Sequence, residues 1–470
     1  MVTGRAAMQR FITGIGAPGY RHYSSPMRTG TATVQEFADD LPVFELNPAY
    51  NTVGNVANPF PTFFEYDESR LSAAASFFDQ GWRVPLATDN LVPGRGYSAQ
   101  TLPTTTVGIT GTLQTGAVGL SLSRGPLATQ GWHLLGNPYP APIDWDLLPA
   151  TPGLDRALYV FVPSGTYSGA YRSYINGVGQ NGGSKDLAAM QGFFVRGVTA
   201  GAALSFTDAM RATSYLSPGF TRSTTTAGTL PLLRLEARNV GSGLRDEAVI
   251  YFEQPAGADY VAGYDAVKLR LNAAGRPTLW SQAGTGSQAE ALAINGLPAL
   301  ATAGVVPLGV RVSQAGAHRL VLTSLANLPA GTQVVLEDRL LNRRQDLARD
   351  SSYAFTSHPD STRQRFYLWL SATAAPLAAR PSAASALLSA VYPNPTATGR
   401  ATLDVSGLAP QAPVSAEVLD AVGRVLLRLS LPVRQGNISE ALDLRGLPSG
   451  VYALRLHPVE GTVVKRVVRE

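Results

Sequence analysis

Asp144 and Asp146, in the stretch IDWD, lie two residues apart, so on a strand both carboxylates face one side. Such a pair suits calcium ligation or acid–base work on a glycosidic bond. Calcium loops supply several further oxygen ligands, and glycosidase pairs are defined by separation in space rather than along the chain. The expectation is therefore a structural pair at a loop end. GIGAPG, residues 14 to 19, matches G-x-G-x-x-G. Pro18 and GYRHYSSP stand where a helix should open, and no acidic residue about twenty positions on completes a βαβ unit. The histidines, His22, His133, His318, His358 and His457, are far apart, with no metal-binding spacing. There is no G-x-S-x-G elbow, and the absence of cysteine rules out a disulfide, a thiolate zinc site or a cysteine nucleophile. No catalytic constellation, metal site or cofactor is expected: the chain reads as a non-enzyme.

Aromatic residues form a different constellation. Trp132, Tyr139 and Trp145 bracket GNPYPAPIDW, and Tyr167, Tyr171 and Tyr174 decorate the Gly/Ser-rich SGTYSGAYRSYINGVGQNGG. Rings on the loops of a β-sandwich can stack on sugar faces, or they can plug the end of its core. The sequence favours plugs, and it leaves Trp132, Tyr139, Trp145, Tyr167 and Tyr171 as the candidate polysaccharide loop.

The elements that must position these residues are strands. Residues 1–216 hold short apolar runs, such as TTTVGITG, RALYVFVPSG and QGFFV, broken by Gly, Pro, Asn and Thr. A Thr-rich break at 217–229 precedes cleaner alternation. In LRLEAR, Leu233, Leu235 and Ala237 alternate with charged residues. In VKLRLN, Val267, Leu269 and Leu271 alternate with Lys268, Arg270 and Asn272. Both predict half-buried strands with one wet face, and 230–371 reads as a second sandwich module. An Ala/Pro/Ser-rich linker covers 372–390, and 391–470 holds about seven more strands. The fold expected is all-β: tandem β-sandwiches ending in a small immunoglobulin-like seven-strand sandwich.

The formal charge of +5 does not indicate a nucleic-acid partner. Only Lys185, Lys268 and Lys465 among the 38 basic residues are lysines, and the arginines are scattered singly, whereas a nucleic-acid footprint is a patch or stripe. The N-terminus has no apolar core of about 7–15 residues, so no secretory signal is read there.

The last eighty residues carry four motifs in order. A proline-bracketed corner, Tyr392-Pro393-Asn394-Pro395, opens the segment. The hairpin turn DAVGR presents Asp420, Gly423 and Arg424, LPSGVY presents Leu447, Gly450 and Tyr452, and Lys465 lies in the final strand. This pattern resembles the type A C-terminal sorting domain of type IX secretion substrates. The resemblance implies a seven-strand sandwich recognised by the type IX translocon. It also implies cleavage by a surface sortase-like protease, attachment to surface lipopolysaccharide, and a secreted or cell-surface location. GWHLLGNPYPAPIDWD, MQGFFV and VVLEDRLLNRRQDL resemble motifs of modules that recur upstream of such domains. Because such substrates begin with a signal peptide, the expectation is a fragment whose N-terminus lies upstream of Met1. The upstream strands are then structural or adhesive, or else accessory, carbohydrate-binding domains of an exported hydrolase whose catalytic part lies upstream.

Overall fold

The computed structural model describes residues 4–13, 17–38, 41, 44–72, 78–213, 229–269, 275–285, 289–298, 300, 304–359, 364–371, 388–406, 408, 413–420, 423–458 and 463–470. Most of the Thr-rich break and of the Ala/Pro/Ser linker, residues 217–228 and 372–387, lie outside the described residues. The chain is all-β and folds as two compact units, Met1–Ala374 and Ala375–Glu470. Its helices are single turns such as Val34–Ala38 and Tyr50–Val53, and none of those described is long and apolar enough to cross a membrane.

In the first unit, strands Gly19–Ser24, Gly96–Thr101, Phe63–Tyr66 and Trp82–Arg83 form a four-stranded antiparallel sheet in that order. A five-stranded sheet runs Val178–Gln180, Ser168–Ile175, Leu154–Gly165, Gly192–Gly197, Trp132–Gly136. The QGFFV strand is buried on both faces, so Phe193 and Phe194 enter two different cores. A continuous apolar run of this kind marks a strand covered on both sides.

The strands from Leu232 to Ser371 belong to one eleven-stranded sheet. LRLEAR forms the strand Leu232–Asn239 as its alternation predicts, with Leu233, Leu235 and Ala237 in the core. The sheet rolls back on itself. Phe355, on one edge strand, packs against Phe366 with ring centroids 4.9 Å apart. The Tyr353 hydroxyl donates to Asp338, which Arg365 also pairs at 2.6 Å. The VKLRLN run departs from its pattern. Strand pairing stops at Ala266–Val267, and Lys268 is buried, with Nζ 2.6 Å from Asp246 and donating to the Glu247 carbonyl. A buried carboxylate partner offsets the desolvation that would otherwise keep the ammonium in water. Arg270 to Asn272 lie outside the described residues.

Strands on either side of the Thr-rich break share a core: Trp132, Tyr159 and Phe194 pack with Val249, Tyr251 and Ile294. Gln180 donates to the Glu247 carbonyl, and the Tyr260 hydroxyl donates to Asp155.

The second unit has seven strands among its described residues, in sheets of three and four. Leu388–Tyr392, Arg400–Ser406 and Asn437–Asp443 make the first sheet. Val425–Leu431, Val414–Leu419, Gly450–His457 and Val463–Arg469 make the second. Leu403, Val405 and Ile438 from one sheet meet Ala416, Val418, Leu454 and Val467 from the other in a single core, which is the two-layer sandwich expected.

Candidate functional site

Asp144 and Asp146 hold local structure. Asp144 accepts from the Asp146 amide at 2.9 Å and pairs with Lys185 at 2.6 Å. Asp146 accepts from the Tyr174 hydroxyl at 2.9 Å.

The candidate polysaccharide loop divides. Trp132, Tyr139 and Trp145 are 4%, 0% and 1% exposed, so none offers a face to a sugar, and their place in that loop is corrected. Each is fixed by its polar tip or a ring neighbour. Trp145 Nε1 donates to the Arg156 carbonyl with its ring edge-on to Phe193. The Tyr139 hydroxyl donates to the Gly116 carbonyl, and Trp132 packs edge-on to Tyr159. Buried Tyr and Trp usually find such partners. Asn137 latches the GNPYP loop by donating to the Ala141 and Ala188 carbonyls while accepting from the Tyr139 amide.

Tyr167, by contrast, lines a cleft of about 720 Å³; Tyr171 borders it too, but is 7% exposed and packs in the same core as Trp132. One wall is a face of the four-stranded sheet. Strand register puts His22, Ser98 and Phe64 side by side in one row, and the period of two places Tyr20 on the same face as His22. Trp82 lines this wall from the neighbouring strand, its ring 5.7 Å from His22. The other wall is the hairpin of strands Leu154–Gly165 and Ser168–Ile175. Phe161 lies directly opposite Tyr171, and Tyr167 sits in the connecting loop with 74% of its surface exposed. Gly169 is required in this hairpin, because a Cβ there would stand 2.6 Å from the Val162 carbonyl oxygen and overlap the Phe161 ring. Tyr20 and Phe60 flank Tyr167, with centroids 6.1 and 6.0 Å away.

The cleft carries little charge. Burial holds His22 neutral down to about 3, and neither ring nitrogen has a hydrogen-bond partner among the described residues. Burial also pushes the Tyr20 and Tyr171 hydroxyls well above their ordinary range. Asp79, on the rim, is raised by its apolar surroundings, against a hydrogen bond from Trp82 that favours the carboxylate. Sequence reasoning missed Tyr20, His22, Phe60, Phe64, Asp79 and Trp82. The alternation in GYRHYS and FFEY signals an aromatic face, but nothing local says that a hairpin ending at Tyr167 stands over it.

In the second unit the motif residues close turns. The Asn394 side chain donates to the Arg466 carbonyl and accepts from the Val468 amide, both at 2.8 Å, which pins the YPNP corner to the last strand. Pro393 and Pro395 flank it, and Tyr392, half exposed, donates to Asp404. Asp420 accepts from the Arg424 amide and pairs with its guanidinium at 2.7 Å, while Gly423 takes a φ of +84°, where only glycine is unstrained. Tyr452 is buried, and its hydroxyl donates to the Pro448 carbonyl in the turn between Leu447 and Gly450. Lys465 lies in the last strand opposite Leu454.

Residues 390–470 match the secretion system C-terminal sorting domain, so the chain is a type IX secretion substrate, secreted or displayed on the cell surface, and the type IX machinery is its partner. Residues 1–369 match the family described as a domain of unknown function, DUF8693, and the chain belongs to that family. No curated protein matches it. Among solved structures, a biofilm associated protein (BSP domain) aligns at 11% identity over 99% of this chain and 95% of that chain. Its TM-score of 0.14 carries no structural argument.

Proposed function

We propose that the first unit is a non-catalytic adhesive module that holds an extracellular ligand in the cleft of Tyr20, Trp82 and Tyr167. The cleft itself carries the reading, because an exposed Tyr167 beside the partly exposed Tyr20 and Trp82 rings suits binding rather than core packing. Asp79 is the one carboxylate among the described lining residues, whereas glycoside hydrolysis generally takes a facing pair. This favours binding over hydrolysis within the cleft. The sorting unit delivers the module, a surface sortase-like protease removes that unit, and lipopolysaccharide takes the new C-terminus.

Fractionation of native cells, with antibody to residues 230–370, tests the placement, and attachment of cells lacking the protein tests the role. Surface signal together with weakened attachment is expected. Normal attachment by the deletion strain would overturn the adhesive role.

A further inference from the structure

We infer that the cleft binds a neutral glycan, its sugar rings stacked on Tyr167, Tyr20 and Trp82. This rests on the adhesive reading above and names its ligand class. Three observations point to it. The first is the alternation of ring faces with short polar groups: Ser98, Thr166, Ser168 and Asn55 line the same space as the aromatics. A pyranose has that alternation, with apolar C–H faces and a hydroxyl equator. A fatty chain would leave these polar groups unpaired.

The second is charge. No lysine or arginine lines the cleft among the described residues, and Asp79 stands on its rim. A uronate, sulfate or phosphate chain would meet a like charge and no counter-ion, so acidic glycans are disfavoured. The third is His22. It lines the cleft at 4% exposure, and both ring nitrogens lack partners. A neutral imidazole has one donor and one acceptor; both nitrogens are closed to solvent among the rings of Trp82, Phe161, Tyr171 and Phe194, so a sugar hydroxyl would satisfy one of them once those rings shift. The volume of about 720 Å³ falls within the ~300–1,000 Å³ usual for small-ligand sites.

The test is calorimetric titration of the full chain with cellohexaose, mannohexaose and xylohexaose, and with hexagalacturonate as the acidic probe. At least one neutral hexaose should bind while hexagalacturonate does not. Tyr167→Ala, at an exposed position where folding is not at stake, should weaken that binding about tenfold, the equivalent of one lost stacking contact. Trp82→Phe should weaken it less. Silence from all three neutral probes, or binding unchanged in Tyr167→Ala, would overturn the assignment, as would preferential binding of hexagalacturonate. The two readings fail separately. If the deletion strain attaches poorly yet no neutral hexaose binds, the glycan falls and adhesion stands. If the deletion strain attaches normally while a hexaose binds through Tyr167, the glycan site stands and adhesion falls.

Discussion

In the sorting unit Asp420 and Tyr452 each close a turn within a few residues of themselves, and Asn394 ties its own corner to the last strand. In the first unit Tyr20, Trp82 and Tyr167 come from three distant stretches and meet only because a sheet face and a hairpin are brought together. The one arrangement repeats a local solution wherever the same turn is needed, and it leaves a readable pattern. The other is assembled by tertiary packing and leaves almost none. The two units also differ in what their characteristic residues do. Those of the sorting unit hold structure, while Tyr167 at the cleft mouth is exposed, as the proposed ligand role requires.

The largest effect expected comes from breaking the structural class within the first unit. Trp145→Ala removes a ring 1% exposed, packed on Phe193 and hydrogen-bonded to the Arg156 carbonyl. Loss of a buried ring costs about 3–5 kcal/mol. Scanning calorimetry of the full chain should show the transition of the first unit falling and that of the sorting unit unmoved. An unmoved first-unit transition would mean that the GNPYP loop is not a core plug.

What the sequence made legible follows the same division. Alternation in LRLEAR placed Leu233, Leu235 and Ala237 correctly, because a half-buried strand has a period of two. The seven strands of the sorting unit were readable for that reason, and its DAVGR and LPSGVY motifs because their turns are local; the tie of Asn394 to the last strand, by contrast, spans more than seventy residues. VKLRLN misled, since a buried Asp246 outweighs the usual preference of Lys268 for water. The aromatic loop was half legible: composition singled out the rings but could not separate Tyr167, on a hairpin tip, from Trp145, in a core. Exposure is decided by segments far along the chain.

A pH experiment sharpens the contrast next. Asp265 is buried, and burial raises its carboxyl to about 7 despite hydrogen bonds from the Val261 and Gly296 amides. An unfolded aspartate releases its proton near 4. The stability this group contributes is therefore full below about 4 and is lost as pH rises through about 7. His22 acts in the opposite sense. Held neutral to about 3 when folded, it loses stability as pH falls below its ordinary value near 6.5. Between pH 6.5 and 8 the unfolded His22 goes from half protonated to neutral and offsets part of the Asp265 trend, so the melting temperature of the first unit should fall only slightly there. Asp265→Asn should remove that fall, to which Asp265 contributes about 0.8 kcal/mol in the wild type. A wild-type profile with the same slope as that of Asp265→Asn over that range would exclude a protonated Asp265 in the folded state.

Smaller again is Asn394→Ala. Its amide replaces a strand neighbour for Arg466 and Val468 at the edge of the sheet. These groups lie near solvent, so water compensates in part and the cost should be about 1 kcal/mol. The melting transition of the sorting unit should fall by a few degrees with that of the first unit unchanged. Surface export, followed by immunoblot, would then tell fold from recognition. Export retained at a temperature where the variant is folded would make Asn394 a folding residue. Export lost there would make the corner itself part of what the translocon reads.

The smallest stability change belongs to Tyr167→Ala. With 74% of its surface in water, the ring touches Tyr20 and Phe60 on one side only, and exposed substitutions away from special features stay within about 0.5 kcal/mol. No melting transition should move. A ring that adds nothing to stability, placed at the mouth of an aromatic cleft on an exported protein, is the inverse of Tyr452, buried and hydrogen-bonded within its own turn. If Tyr167→Ala instead lowers the first-unit transition as far as Asn394→Ala lowers that of the sorting unit, Tyr167 is a core plug like Trp145. The distinction between rings that hold the fold and rings that await a ligand then disappears at the position where it is sharpest.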